Sequence, residues 1–414
     1  FRRVLFRSGQ HALYVTGGTP ILEDCVFTST GGVPIQISGR DAKPHLKRIS
    51  IPKSHTDGIA IDQQAGGLIE GAEIANTKGW GVVILGAKEP VIQQSKIYNT
   101  EEGGAWIENG GGTLKEVEIY GMNKPGVQIS RNAEATLSMV DIHDGKQNGI
   151  FISENSQAKI EKSKIHKNAF AGIAIRDGSD PVITETKIFD GLDNGVWIYN
   201  GGKGRLENVE IYGNQKNGML ISSNAMPAIV KSKIYGSKQA GILFDQRAKG
   251  TIDETEIYAN EKTGIVIREG SDPLIRRSKV YDGKEAGILI ASKGKGTIEY
   301  SQVFRNAFQN IHIQDGGNPS IRQTDIYDGQ GGGVWVTDKG NGLVENCNIY
   351  NNARFGVGIE KQGDPTIRQS KIYGSHSHGV WISVGGRGTI QENQIYGNAE
   401  YGVYINPNTA PSLV

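Results

Sequence analysis

A glycine followed by an apolar-x-apolar triplet recurs from Gly58 to Gly402, with Asn310 filling one slot. Every step is 23 residues except the 22 from Gly104 to Gly126. A unit this short cannot bury a core alone, so copies must stack on one another. Within the unit at Gly172, apolar residues fall at Ile173, Ile175, Ile183 and Ile188. The first pair alternates with period two, which predicts a short strand with one buried face. The second pair predicts further extended chain, broken by Gly, Asn and Asp turns. No stretch carries a helical period.

A coil of two or three short strands, stacked on its copies, predicts an all-β, single-stranded right-handed parallel β-helix of about 18 coils. The coils come in two flavours, giving a 46-residue super-repeat: Pro181, Pro227, Pro273, Pro319, Pro365 and Pro411 alternate with Gly204, Gly250, Gly296, Gly342 and Gly388. Residues 58–414 are the regular solenoid and 9–57 form looser N-terminal coils. Residues 1–8, FRRVLFRS, match the translation of a sequencing adapter and are read as an artefact. Both ends read as truncated, a fragment of a longer protein, which leaves the compartment open.

The strings Gly317-Asn318-Pro319-Ser320-Ile321-Arg322 and Ile142-His143-Asp144-Gly145-Lys146-Gln147-Asn148-Gly149 carry a resemblance. They are similar to β-helical repeats of the carbohydrate-binding and sugar-hydrolase type, pectate-lyase-like or NosD-like. The closest pattern is the β-helix of the F-box-only ubiquitin-ligase substrate receptor and its bacterial relatives. The resemblance spans roughly residues 9–414 and implies the fold; its shared motifs are turns and core, so it says little about activity.

Charge and composition exclude some functions. The 45 Lys+Arg against 44 Asp+Glu leave no basic excess for nucleic acid, and no nucleic-acid partner is expected. No apolar run reaches the ~18 residues a membrane-crossing helix needs, so no membrane insertion is expected. The sets NTD, DD, GHG and RIK of polygalacturonases, DPHD of alginate epimerases and the RTX calcium nonapeptide are absent, so the chain leans away from enzymes. No catalytic residue, cofactor or metal is assigned. His143 and His166 fall in a tyrosine column and read as stacking residues; His376 and His378 sit in a turn. Asp177 with Asp180, and Glu269 with Asp272, read as turn chemistry rather than a calcium set.

Two further columns matter. A small, inward one runs through Thr186, Val209, Ser232, Thr255, Ser278 and Ser301, and holds both cysteines, Cys25 and Cys347. About 14 coils would separate them, roughly 67 Å, far beyond disulfide reach. An outward one, two residues after the repeated glycine, holds Trp106, Phe151, Trp197, Leu243, Leu289, Trp335 and Trp381 in alternate coils. Their expected spacing of about 9.6 Å suits a linear polysaccharide. An apolar stripe equally suits a protein partner, or plain packing along a sheet. The expected role is a non-catalytic scaffold for a protein partner, with polysaccharide binding or processing as the alternative. The basic stretch Ser38–Asp57 reads as irregular register near one end.

Overall fold

The computed structural model describes residues 4–414. All regular structure among them is β, and the strands sort into three parallel sets of eighteen. Each coil supplies a leading strand after the repeated glycine, a middle strand and a trailing strand. The chain divides into two compact units, Phe1–Trp197 with Gly201–Glu210, and Ile198–Asn200 with Ile211–Val414.

In the first unit, neighbouring coils align like with like: Ile150 opposite Ile173, Ile160 opposite Ile183, Ile165 opposite Ile188. All six are fully buried. The second unit repeats this with Ile242 on Ile265, Ile252 on Ile275 and Ile257 on Val280. Each inward position therefore meets a copy of itself one strand spacing away, and β-branched side chains stack well at that spacing. The repeated glycine is explained by crowding. A Cβ on Gly172 would lie 2.5 Å from Ile188 Cγ2 and 2.7 Å from Gly195 O. Asn310 occupies the slot beside Gly329 in the turn of the next coil, where a Cβ would lie 2.8 Å from the Asn310 amide nitrogen. Its amide joins a buried cluster, donating to Asn352 Oδ1 at 3.0 Å and accepting from Asn306 Nδ2 at 2.9 Å.

The small inward column is a hydrogen-bonded ladder. Ser278 Oγ accepts from Thr255 N at 3.1 Å and donates to Arg276 O at 2.8 Å. Each hydroxyl thus pairs a backbone N–H one coil back, where no water reaches. Cys347 sits on this ladder and Cys25 is likewise buried; both are free thiols. Burial pushes the Cys347 thiol up to about 12 and raises Cys25 as well, so neither is a ready thiolate.

The looser N-terminal coils also stack. Within Ser38–Asp57, His45–Lys47 and Ser50–Ile51 form a middle and a trailing strand. The leading-strand step there, Ile35 to Ile59, is 24 residues, so one extra residue is absorbed in the turns. Val4–Ser8 pairs with Cys25–Ser29, with Phe6 stacked on Phe27 at 5.1 Å.

Candidate functional site

The outward leading-strand column differs between the units. In the first, Trp106, Phe151 and Trp197 are half-buried, with the polar Gln128 and the small, buried Ala174 between them and buried Val83 one coil ahead of Trp106. Trp106 donates from Nε1 to Ser130 Oγ at 3.2 Å and tilts against Trp80 at 5.8 Å. The Arg176 guanidinium lies 5.7 Å from the Phe151 ring.

In the second unit the column is nearly continuous. Leu220, Leu243, Val266, Leu289, His312 and Trp335 follow one another along successive strands, and Trp381 and Tyr404 follow after a single glycine. The one glycine among them, Gly358, lies under the Phe355 ring, which stacks on Trp381 at 5.6 Å. His312 stacks on Trp335 at 4.5 Å. Leu243, Leu289, Trp335 and Trp381 are half-buried, and Tyr401, 57% exposed, flanks Tyr404 at 5.5 Å. Large groups therefore recur at nearly every coil here, not at every second one. Desolvation dominates at His312 and lowers its pKa to about 4, with Asp338 raising it and Lys361 lowering it. The imidazole is neutral across the ordinary pH range.

A second feature lies in the first unit and was not singled out from the sequence. An open trough of about 1230 Å³ runs over the middle strands Gly111–Lys115, Glu134–Ser138 and Gln157–Glu161. These strands are five residues long, where the corresponding strands of the second unit have no more than three. The sequence signal was present: after Pro90 and Gly112 the Pro/Gly alternation gives way to Ala135 and Ala158 in two successive coils before resuming at Pro181. The floor is small, with Thr113 and Thr136 beside these residues. The walls mix Lys88, Glu89, Glu134, Lys159 and Asp180 with Asn109 and Asn132. No aromatic ring lines it.

The trailing strands carry an aromatic ladder that the sequence reading treated only as background. In the first unit Tyr98, Tyr120, His143, His166 and Phe189 stack with ring centroids 4.7–5.3 Å apart. In the second, rings stack from Tyr212 to Tyr396 at 4.8–5.1 Å. Ring spacing equals strand spacing, so the sheet itself sets the stack. Tyrosine hydroxyls reach back one coil to an acid, Tyr98 to Glu73 at 2.8 Å and Tyr281 to Glu256 at 3.0 Å. Burial, followed by that carboxylate, raises the Tyr281 phenol.

The outward charges pair between coils. Arg276 meets Asp253 at 2.9 Å and Arg322 meets Glu345 at 3.1 Å, while Arg368 also bonds Glu345. The acids of these pairs are largely buried and the arginines half-exposed, and a slipped coil would bring like charges together, so the pairs help set register. Asp177 is bonded to Arg176, and neither expected acid pair joins a cluster of potential metal ligands among the described residues. No helix among the described residues is long and apolar enough to cross a membrane.

Comparison with known proteins agrees with this architecture. The family model described as "Right handed beta helix region" matches residues 1–114, 80–226, 187–318 and 297–414. The chain in the cryo-EM structure of the Vag8–C1 inhibitor complex is 12% identical, with 100% of each chain covered and a TM-score of 0.51. The A-module of the mannuronan C-5 epimerase AlgE4 from Azotobacter vinelandii is 14% identical over 75% of this chain and 90% of that one, with a TM-score of 0.47. An alginate lyase from Paenibacillus sp. is 15% identical over 67% of this chain and 99% of that one, with a TM-score of 0.40. At such identities the likeness is one of fold alone. Four matches that together run the length of the sequence, on a chain of stacked three-strand coils, make it a member of the right-handed β-helix family.

Proposed function

We propose that this chain is a non-catalytic scaffold that holds a protein partner against the leading-strand face of its second unit. The observation carrying this reading is the row from Leu220 to Tyr404, a partly exposed apolar or aromatic group on every coil but that of Gly358, where buried Phe355 fills the space. A continuous apolar stripe with a charged surround matches the core-and-rim pattern of protein interfaces. Sugar stacking needs open ring faces. Here one face of Trp335 is taken by His312 and one face of Trp381 by Phe355. The expected disaccharide-like gap between rings is filled, which weighs against the polysaccharide alternative.

The test pairs two measurements on the full chain. Tryptophan fluorescence is followed during titration with neutral and acidic linear polysaccharides, and proteins retained from source extracts are compared for wild type and Leu243→Lys/Leu289→Lys. The expected result is a flat response to glycans, with proteins retained by wild type and lost by the variant. Saturable quenching by one polysaccharide, or retention unaffected by the two lysines, would overturn the reading.

A further inference from the structure

The ladder of trailing strands in the first unit departs from its own pattern in two columns at once. From Tyr98 onward the third residue is otherwise Tyr or Phe, and the first often alternates in sign, as in Lys233, Glu256 and Lys279. Across Glu118–Tyr120, Asp141–His143 and Lys164–His166, two histidines follow in succession, and two acids follow in succession one coil earlier. The strands are in register, with Glu118 opposite Asp141 and His143 opposite His166.

This offset brings acids and imidazoles together. Asp141 Oδ1 lies 3.0 Å from His166 Nε2, and Glu118 Oε1 lies 3.5 Å from His143 Nε2. Asp144 Oδ2 holds His143 Nδ1 at 2.7 Å. Asp141 shares a strand with one histidine and reaches the other, so it faces both rings. One ligand atom from each of Asp141, His143 and His166 falls within a 4.8 Å cluster. His166 Nδ1 is buried without a hydrogen-bond partner, although its other nitrogen is satisfied. A tyrosine replaced merely for stacking would not require a second histidine or a second acid beside it.

We propose that Asp141, His143 and His166 bind a divalent transition-metal ion of the zinc class, with Glu118, whose other oxygen pairs with Lys96 at 2.7 Å, reaching in as fourth donor. Two imidazoles and carboxylate oxygens suit such an ion, whereas calcium would need six or more oxygens. With metal–ligand bonds of about 2.0–2.2 Å, neighbouring donors of a tetrahedral ion sit roughly 3.4 Å apart. The rings now stack 8° from parallel with centroids 4.8 Å apart. The ligand atoms of Asp141, His143 and His166 lie within 4.8 Å of one another, so a relative shift of at most about 1.4 Å brings these three to that spacing.

The experiment titrates tag-free, metal-stripped full chain with Zn²⁺ alone by calorimetry, and with Co²⁺ followed by its visible absorption. One saturable Zn²⁺ site is expected, with the strong Co²⁺ bands of four-coordination. His143→Tyr/His166→Tyr, which continues the stack from Tyr120, should remove that site while circular dichroism stays unchanged. Asp141→Asn should weaken it tenfold or more, and serves with Glu118→Gln should the double variant fail to fold. No saturable binding by wild type would overturn the proposal, as would undiminished affinity in these variants.

Discussion

The two units are built from one coil but keep different parts of its pattern. In the second, proline and glycine alternate without fault at the start of the middle strand, from Pro227 and Gly250 to Pro365 and Gly388. Its inward ladder is polar from Ser232 to Ser301, and resumes as Thr324, Cys347 and Ser370. In the first unit the same ladder is interrupted by Ala72, Val117, Val140 and Val209, and the alternation fails at Ala135 and Ala158. The trough, the lengthened middle strands and the histidine pair all lie in this less regular unit. The second unit instead offers a uniform apolar row. The difference teaches that a repeat does two jobs: strict repetition makes a long, even surface row, while lapses in repetition make local, chemically particular clusters.

Three measurements would sharpen or break that contrast. The largest effect is expected at His312, on the second unit's row. Its imidazole stays neutral in the fold down to about pH 4, whereas an unfolded histidine takes up its proton near pH 6.5. Stability present above pH 6.5 is therefore lost as pH falls toward 4, by up to about 3 kcal/mol. His312→Leu should remove this share, so wild type minus variant, from urea midpoints at pH 7, 5.5 and 4.5, should shrink steadily. A pH-independent difference would mean the row is wet at this point.

A smaller effect separates Gly342 from Gly112. Gly342 has φ +117° and a Cβ there would lie 2.6 Å from Pro319 O; Gly112 has no such φ and meets only the Ile84 methyl at 3.0 Å. Gly342→Ala should cost about 2 kcal/mol and Gly112→Ala less than about 1, read as melting temperatures. Equal losses would show that the first unit is as constrained as the second. The smallest concerns the inward ladder. Ser278→Ala strands the Thr255 N–H in a buried site, which should cost about 1.5 kcal/mol. The first unit already holds Val140 on the same ladder, so a negligible cost at Ser278 would erase that distinction between the units.

The repeat spacing alone determined the fold. A 23-residue period with apolar pairs admits few stable outcomes besides stacked three-strand coils, because only stacking buries Ile173, Ile183 and Ile188 together. The same spacing put both cysteines on the inward ladder and the rings of Trp106 to Trp381 on the outward face. Only the tertiary structure decided how open those rings are. Phe355, from a turn, covers Gly358 and stacks on Trp381, a contact that no position within the strand encodes. The trough was written in the sequence as three coils without proline, yet its depth depends on strands lengthening where positive φ was no longer required. The histidine pair could be placed in one column from sequence. That Asp141 faces both imidazoles follows from a diagonal between neighbouring strands, and such a diagonal exists only once register and side-chain direction are fixed together.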